Sequence, residues 1–266
     1  EFRRVLFRSV ADRSSPRFAG FFGWYAERLF RGRFHAVRLA KGSAAVLAQV
    51  AVHEGPALVA LNHASWWDPM VAVLLWRRFF PMRSNLSPME AGQLRRFAFM
   101  RRLGIFGIDP DDAASLRAMG HYLEGRLRAL PRPVVMLTPQ GRFVDVRLPV
   151  EPRPGAAALL ASQPAMRAWS VAIEYGFWCD AKPEAFVRVM PVAAPDEART
   201  TSWQRALQEA MRTNQEHLAS LVSSREPSSF ETLVGAGAAR VHPVYDAWLA
   251  LTGRTGGLDG SARRAR

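Results

Sequence analysis

The chain has 266 residues, 49% hydrophobic and 22% charged, a profile that suits one large globular domain with appendages and excludes a disordered chain. Its single cysteine, Cys179, excludes an intrachain disulfide and a cysteine-based metal cluster. The net charge of +13 is almost wholly arginine, since Lys41 and Lys182 are the only lysines. It is read either as attraction to nucleic acid, an anionic membrane surface or a phosphorylated substrate, or as codon bias alone.

The first nine residues, EFRRVLFRS, resemble translated adapter sequence and are set aside from the fold. Residues 18–34, FAGFFGWYAERLFRGRF, predict a helix with Phe18, Phe21, Phe22, Tyr25, Leu29 and Phe30 at helical spacing. Arg28, Arg31 and Arg33 lie among or just after them. Such a helix either rests in a membrane interface or covers a core, and its composition fits both.

Residues 56–61 predict a short buried strand after a Gly-Pro turn, and 69–80 a helix with Pro69 at its first position. The segment 90–102 is amphipathic, 104–108 predicts a short strand, and 111–130 a helix opened by two acidic residues. Further strands are predicted at 134–137, 170–175 and 185–189, with a helix at 155–162. Beyond Thr200 the pattern turns helical, with a polar helix at 203–222 and a shorter apolar one at 243–251. The Gly-, Arg- and Ser-rich end is expected to be disordered. No stretch of 18 apolar residues is uninterrupted; the nearest, 56–76, contains His63 and Asp68. Short apolar strands alternating with helices predict a single α/β domain whose sheet is covered by helices.

Chemistry concentrates in ALVALNHASWWDPM, residues 57–70. In α/β folds, sites are built on loops that leave the carboxyl ends of strands, and His63 follows one such strand. A histidine takes a proton from a hydroxyl near neutral pH, and an aspartate on its far nitrogen fixes the tautomer and stabilises the imidazolium. The spacing alone leaves a second reading open: Asp68 as the cap of a helix opened by Pro69, and His63 as a bonded strand end.

The stretch NHASWWDP resembles the N-H-x-x-x-x-D motif of the glycerolipid acyltransferase superfamily, the 1-acylglycerol-3-phosphate acyltransferase-like proteins. Three further segments follow in the family's order. LGIFGID at 103–109 is similar to its second block, LTPQGRF at 137–143 to its third, and AWSVAIEY at 168–175 to the strand of its fourth. The resemblance spans residues 35–195, and the TPQGRF block is closest to a bacterial branch. It implies a mixed sheet covered by helices and a division into an N-terminal segment with the interfacial helix (1–34), a catalytic domain (35–195), a helical extension (196–254) and a tail (255–266).

The resemblance also implies His63 as general base and Asp68 as its charge partner. His63 would deprotonate an acceptor hydroxyl that attacks the thioester of acyl-CoA or acyl carrier protein, with no covalent acyl-enzyme, no metal and no bound cofactor. Acceptor binding falls to Gln140, Gly141, Arg142 and Arg147. The third block departs from the family: Gln140 replaces its Glu, Arg142 its Thr, and Phe143 stands where its Arg would be, while Pro110 displaces the second block's Arg. Arg142 and Arg147 are candidates to bind phosphate instead, because a guanidinium fork suits it. Asp145 lies near enough to hold either arginine, and Glu174, on an apolar strand, calls for a partner such as Arg.

The function that follows is acyl transfer to a lysophospholipid or related lipid hydroxyl, by a peripheral protein on the cytoplasmic face of a membrane. The alternatives are a non-phosphorylated acceptor such as a glycolipid or glycosylated pigment, or a non-catalytic lipid-binding protein of the same fold. A nucleic-acid partner is not expected, since no basic and aromatic clusters interleave in a recognisable motif.

Overall fold

The computed structural model describes residues 11–178 and 180–235, with Leu251 alone beyond them. The opening nine residues, Cys179, the apolar helix predicted at 243–251 (Leu251 excepted) and the tail lie outside the described residues.

Eight strands form one sheet: β1 (Ala36–Ala40), β2 (Ala57–Leu61), β3 (Ser84–Glu90), β4 (Ile105–Ile108), β5 (Pro133–Leu137), β6 (Arg167–Gly176), β7 (Glu184–Pro191) and β8 (Phe230–Gly235). Their order across the sheet is β4-β3-β5-β2-β6-β7-β1-β8. From β4 to β6 every pairing is parallel; β7 is antiparallel to β6, β1 parallel to β7, and β8 antiparallel to β1. The sheet is therefore mixed. It has helices on both faces: α1 (Pro16–Arg33), α2 (Ser43–Val52), α3 (Asp68–Phe79), α4 (Ala91–Arg96), α5 (Ala113–Ala129), α6 (Gly155–Ser162) and α7 (Thr200–Ser224).

The two-residue period of a strand sorts β2 between two cores. Ala57, Val59 and Leu61 face a cluster with Phe30 and Leu39 and with Val71 and Leu75 of α3. Leu58 and Ala60 face the other, with Leu123, Leu160, Trp203 and Leu207 of α5, α6 and α7. Nothing in β2 is exposed, which is why its sequence is an unbroken apolar run and not an alternation.

Each predicted strand and helix within the described residues is present, with ends shifted by a few residues. The amphipathic segment at 90–102 divides into α4 and a 3-10 turn at Ala98–Leu103. Four elements, β1, α2, β3 and β8, were not anticipated. β1 hides behind Arg38, and β3, SNLSPME, is mostly polar with a proline. Its first half pairs with β5 and its second, including Pro88, with β4.

The expected C-terminal helix is present as α7, which packs along β6 and β7, and β8 then closes the sheet against β1. The N-terminal helix is likewise integrated, since α1 packs on α3.

Two arginines make this packing specific. Arg83, barely exposed, donates to the carbonyls of Val50 (2.6 Å), Gly55 (3.0 Å), Pro133 (3.0 Å) and His53, tying the end of α2 to the entry of β5. Burial holds its pKa down at about 10, so it stays charged and donating. Arg38 pairs with the buried Glu184 across the β1–β7 register and lies 5.0 Å from the Trp178 ring centroid. A buried pair is expensive to break and cheap to replace whole. Glu184→Ala should therefore cost about 3 kcal/mol in urea unfolding, while Arg38→Met with Glu184→Leu recovers most of that loss. Equal losses in the single and double variants would rule out this account.

Candidate active site

β2 delivers the first catalytic candidate. Where its ladder ends, Asn62 continues the pairing with its side chain: Nδ2 donates to the Ile173 carbonyl (2.9 Å) and Oδ1 accepts the Ile173 N–H (2.7 Å). The main chain is thus pinned beside β6 for one more step before it turns. The strand period then puts His63 on the α3 side of the sheet, following Val59 and Leu61.

Asp68 is the first residue of α3, and its carboxylate points back into the turn. Oδ2 accepts from His63 Nδ1 (2.8 Å) and from the Ser65 N–H (2.9 Å), and Oδ1 from the Tyr175 hydroxyl (2.7 Å). The alternative reading of Asp68 as the helix cap is therefore corrected. Trp67 occupies the cap position with its backbone, and no side chain caps the helix. The Asp68 side chain is only 1% exposed and that of His63 19%. A buried carboxylate is tolerable because charge-assisted donors saturate it. As Asp68 only accepts, the imidazole carries its proton on Nδ1 and leaves Nε2 as the basic nitrogen.

The third block enters from β5, the neighbour of β2. Gly141 takes φ +65, a conformation open to glycine, and Cβ there would meet Arg153 Nε at 3.0 Å. Past it, the Phe143 ring packs on the imidazole with centroids 4.1 Å apart, and the Val144 N–H donates to the His63 carbonyl (2.8 Å). So the residue that meets His63 from this block is the aromatic one. Gln140 is buried at the head of the loop. Arg142 and Arg147 are 68% and 85% exposed and are drawn to Glu151 (3.6 Å) and Asp145 (2.6 Å) respectively. Neither makes a hydrogen bond or ion pair with the dyad.

Asp145 thus holds Arg147, and that fork drives its pKa well below the usual carboxylate range. Glu174 faces away, towards the α7 side. Burial raises its pKa, with Arg147 pulling it back down from beyond ion-pair distance. The partner expected for Glu174 is therefore an arginine already committed elsewhere.

Three contributors escaped the sequence reading. Tyr175 and Asn62 lie inside quoted motifs, but their partners are set by the β2–β6 pairing and not by local spacing. Arg153 joins the second and third blocks, its N–H donating to the Pro139 carbonyl (2.8 Å) and its Nη1 to that of Pro110 (2.9 Å).

The two tryptophans of the turn part company. Trp67 packs on Phe30 and Phe34, with centroids 5.6 and 4.9 Å away, whereas Trp66 is exposed beside it. Along α1, Phe21, Trp24 and Tyr25 are exposed while Phe22, Ala26 and Phe30 are buried. The helix therefore covers the core with one face and leaves an aromatic face exposed. Phe99, also exposed, packs at a tilt against Phe18 and Phe22 and extends the outer face.

Residues 42–173, from the cap of α2 through most of β6, match the family model described as Acyltransferase. The matched segment contains the dyad and the third-block loop, and the match supports acyltransferase activity. No curated protein matches the chain.

Because Asn62 seats the turn, Asn62→Ala should destabilise the fold by about 1–3 kcal/mol, the cost of unpaired buried backbone groups. It should also lower kcat in the fraction that stays folded. Urea unfolding combined with turnover at a permissive temperature checks both; unchanged turnover would mean that the turn holds without it.

Proposed function

We propose that the protein transfers a fatty acyl group from acyl-CoA or acyl carrier protein to a lipid hydroxyl at a membrane surface. The observation that carries this reading is the hydrogen bond from His63 Nδ1 to a buried Asp68, at the carboxyl end of β2 and inside the acyltransferase match. His63 Nε2 takes the acceptor's proton as its oxygen attacks the thioester carbonyl. The thiolate then leaves and recovers a proton from the imidazolium, and Asp68 holds the ring and offsets its transient charge.

A lysophospholipid is the leading acceptor. A second reading changes only the acceptor, to a hydroxyl without phosphate on a glycolipid or glycosylated pigment. Phe143 against the imidazole favours it, together with the engagement of Arg142 and Arg147 by carboxylates.

Peripheral attachment on the cytoplasmic face is part of the proposal. No helix among the described residues is long and apolar enough to cross a membrane. The exposed Phe21, Trp24, Tyr25, Phe99 and Trp66, with Arg28 and Arg33 alongside, supply the aromatic and cationic side chains that suit an anionic lipid interface.

Radiolabelled acyl-CoA offered with lysophospholipids and neutral glycolipids tests the chemistry. His63→Ala and Asp68→Asn should each lower kcat by about 10²–10⁴-fold while remaining folded. Unchanged transfer in both would overturn the mechanism. Arg142→Ala should raise KM only for phosphorylated acceptors if the leading acceptor is right, and leave all acceptors alike under the second reading. In flotation with anionic liposomes, Phe21→Ser with Trp24→Ser and Trp66→Ser should leave most of the protein unbound; full retention would remove the membrane claim.

A further inference from the structure

We propose that Tyr175 is a positioning residue for the His63–Asp68 pair, its hydroxyl holding the Asp68 carboxylate in the one orientation that presents Oδ2 to the imidazole. This rests on the reading of His63 as the base. It concerns a residue outside the N-H-x-x-x-x-D motif, 107 positions from the carboxylate it serves.

A carboxylate turns about the bond that joins it to its side chain, so a single partner does not fix its plane. Oδ2 of Asp68 takes two donors from its own turn, the His63 ring and the Ser65 N–H. Oδ1, on a side chain that is almost wholly buried, has one among the described residues: the Tyr175 hydroxyl at 2.7 Å. Without it, a buried anionic oxygen lacks a donor and the carboxylate is free to swing towards others, taking the histidine with it.

Tyr175 suits the task in three ways. It stands on β6 two residues beyond Ile173, whose backbone grips Asn62, so one strand holds both ends of the catalytic turn. Its ring is seated against Phe34 (centroids 6.0 Å apart) and the α3-side core, independently of its hydroxyl. Burial, and next the Asp68 charge, raise its pKa far above that of an ordinary phenol, so the group remains a donor at any working pH. Among the described residues, Asp68 from α3 and Tyr175 from β6 are the titratable groups hydrogen-bonded within this chain of contacts; Phe143, from the third-block loop, brings no charge.

The test removes the hydroxyl and keeps the ring. Tyr175→Phe should lower kcat by roughly tenfold or more with little change in KM for either substrate. A carboxylate relieved of its phenol donor concentrates more charge on His63, so the acid limb of the pH–rate profile should move to higher pH. Incorporating 3-fluorotyrosine at position 175 keeps ring and hydroxyl but strengthens the donor, and should move the limb the other way. In an Asp68→Asn background the Tyr175→Phe change should add almost nothing. A merely structural tyrosine would give a stability loss with an unmoved pH profile and additive effects, and that result overturns the proposal.

A readout without turnover separates this inference from the reading beneath it. The Nδ1 proton resonance of a selectively labelled His63 should shift or broaden in Tyr175→Phe. Should the wild type transfer no acyl group to any acceptor, the acyltransfer reading fails while this resonance still tests Tyr175. An unchanged resonance would overturn the positioning role on its own, and if Tyr175→Phe does not fold, the fluorotyrosine variant carries the same test.

Discussion

Two hydrogen bonds from one amide, Asn62 to both backbone groups of Ile173, set the geometry on which the site depends. A strand that ends in a loop ordinarily releases the next residue to solvent. Here a side chain imitates the missing strand partner, so His63 leaves the sheet at a fixed height and on a fixed face. Asp68 meets it because α3 begins five residues later and doubles back over the same face. Tyr175 reaches the pair because β6 is in register with β2, Leu61 opposite Val171. The turn that carries His63 and Asp68 is an extension of sheet order, which is why its hydrogen bonds involve backbone as much as side chain.

The cationic excess looks different once placed. Arg83 and Arg38 are turned inward, and Arg188 gives Nη1 to the buried Asn214 (2.6 Å), which in turn bonds the β6 and β7 backbones. Arg142, Arg147, Arg199 and Arg212 sit with exposed carboxylates, pairs of little energetic weight. The net charge is thus not a uniform attraction. Part of it is internal fastening, and the share near the exposed aromatic face is what an anionic surface would meet.

What the sequence disclosed follows from where its information is local. The strand-turn-helix around His63 was legible because an apolar run, a turn and Pro69 each act within a few residues. The same holds for the helices at 155–162 and 200–224, whose periodicity is their own. β1 and β3 were not legible, because each owes its burial to neighbours far along the chain: Arg38 is apolar in effect only when Glu184 cancels it. The third-block loop divides in the same way. Its glycine turn was readable, but which of Arg142, Phe143 and Arg147 would face the histidine depends on the path of the loop across β2, and the aromatic residue is the one that does so. The strand β8 was missed for a related reason, since nothing within 230–235 announces a strand until β1 stands beside it.

That last pairing has a consequence for how the chain is made. β1 lies second from the start among the described elements, yet both of its neighbours, β7 and β8, come from residues 184–191 and 230–235. A ribosome releasing the chain from its N-terminus therefore presents β1 long before anything exists to pair with it. The parallel half of the sheet, β2 to β6, is able to assemble first; the edge that contains β1 is closed only once residues 230–235 have emerged. Until then a strand with both sides open and an uncompensated arginine at its centre must be kept from other chains. Charge that is costly inside the finished fold serves, during that interval, to keep the waiting strand soluble.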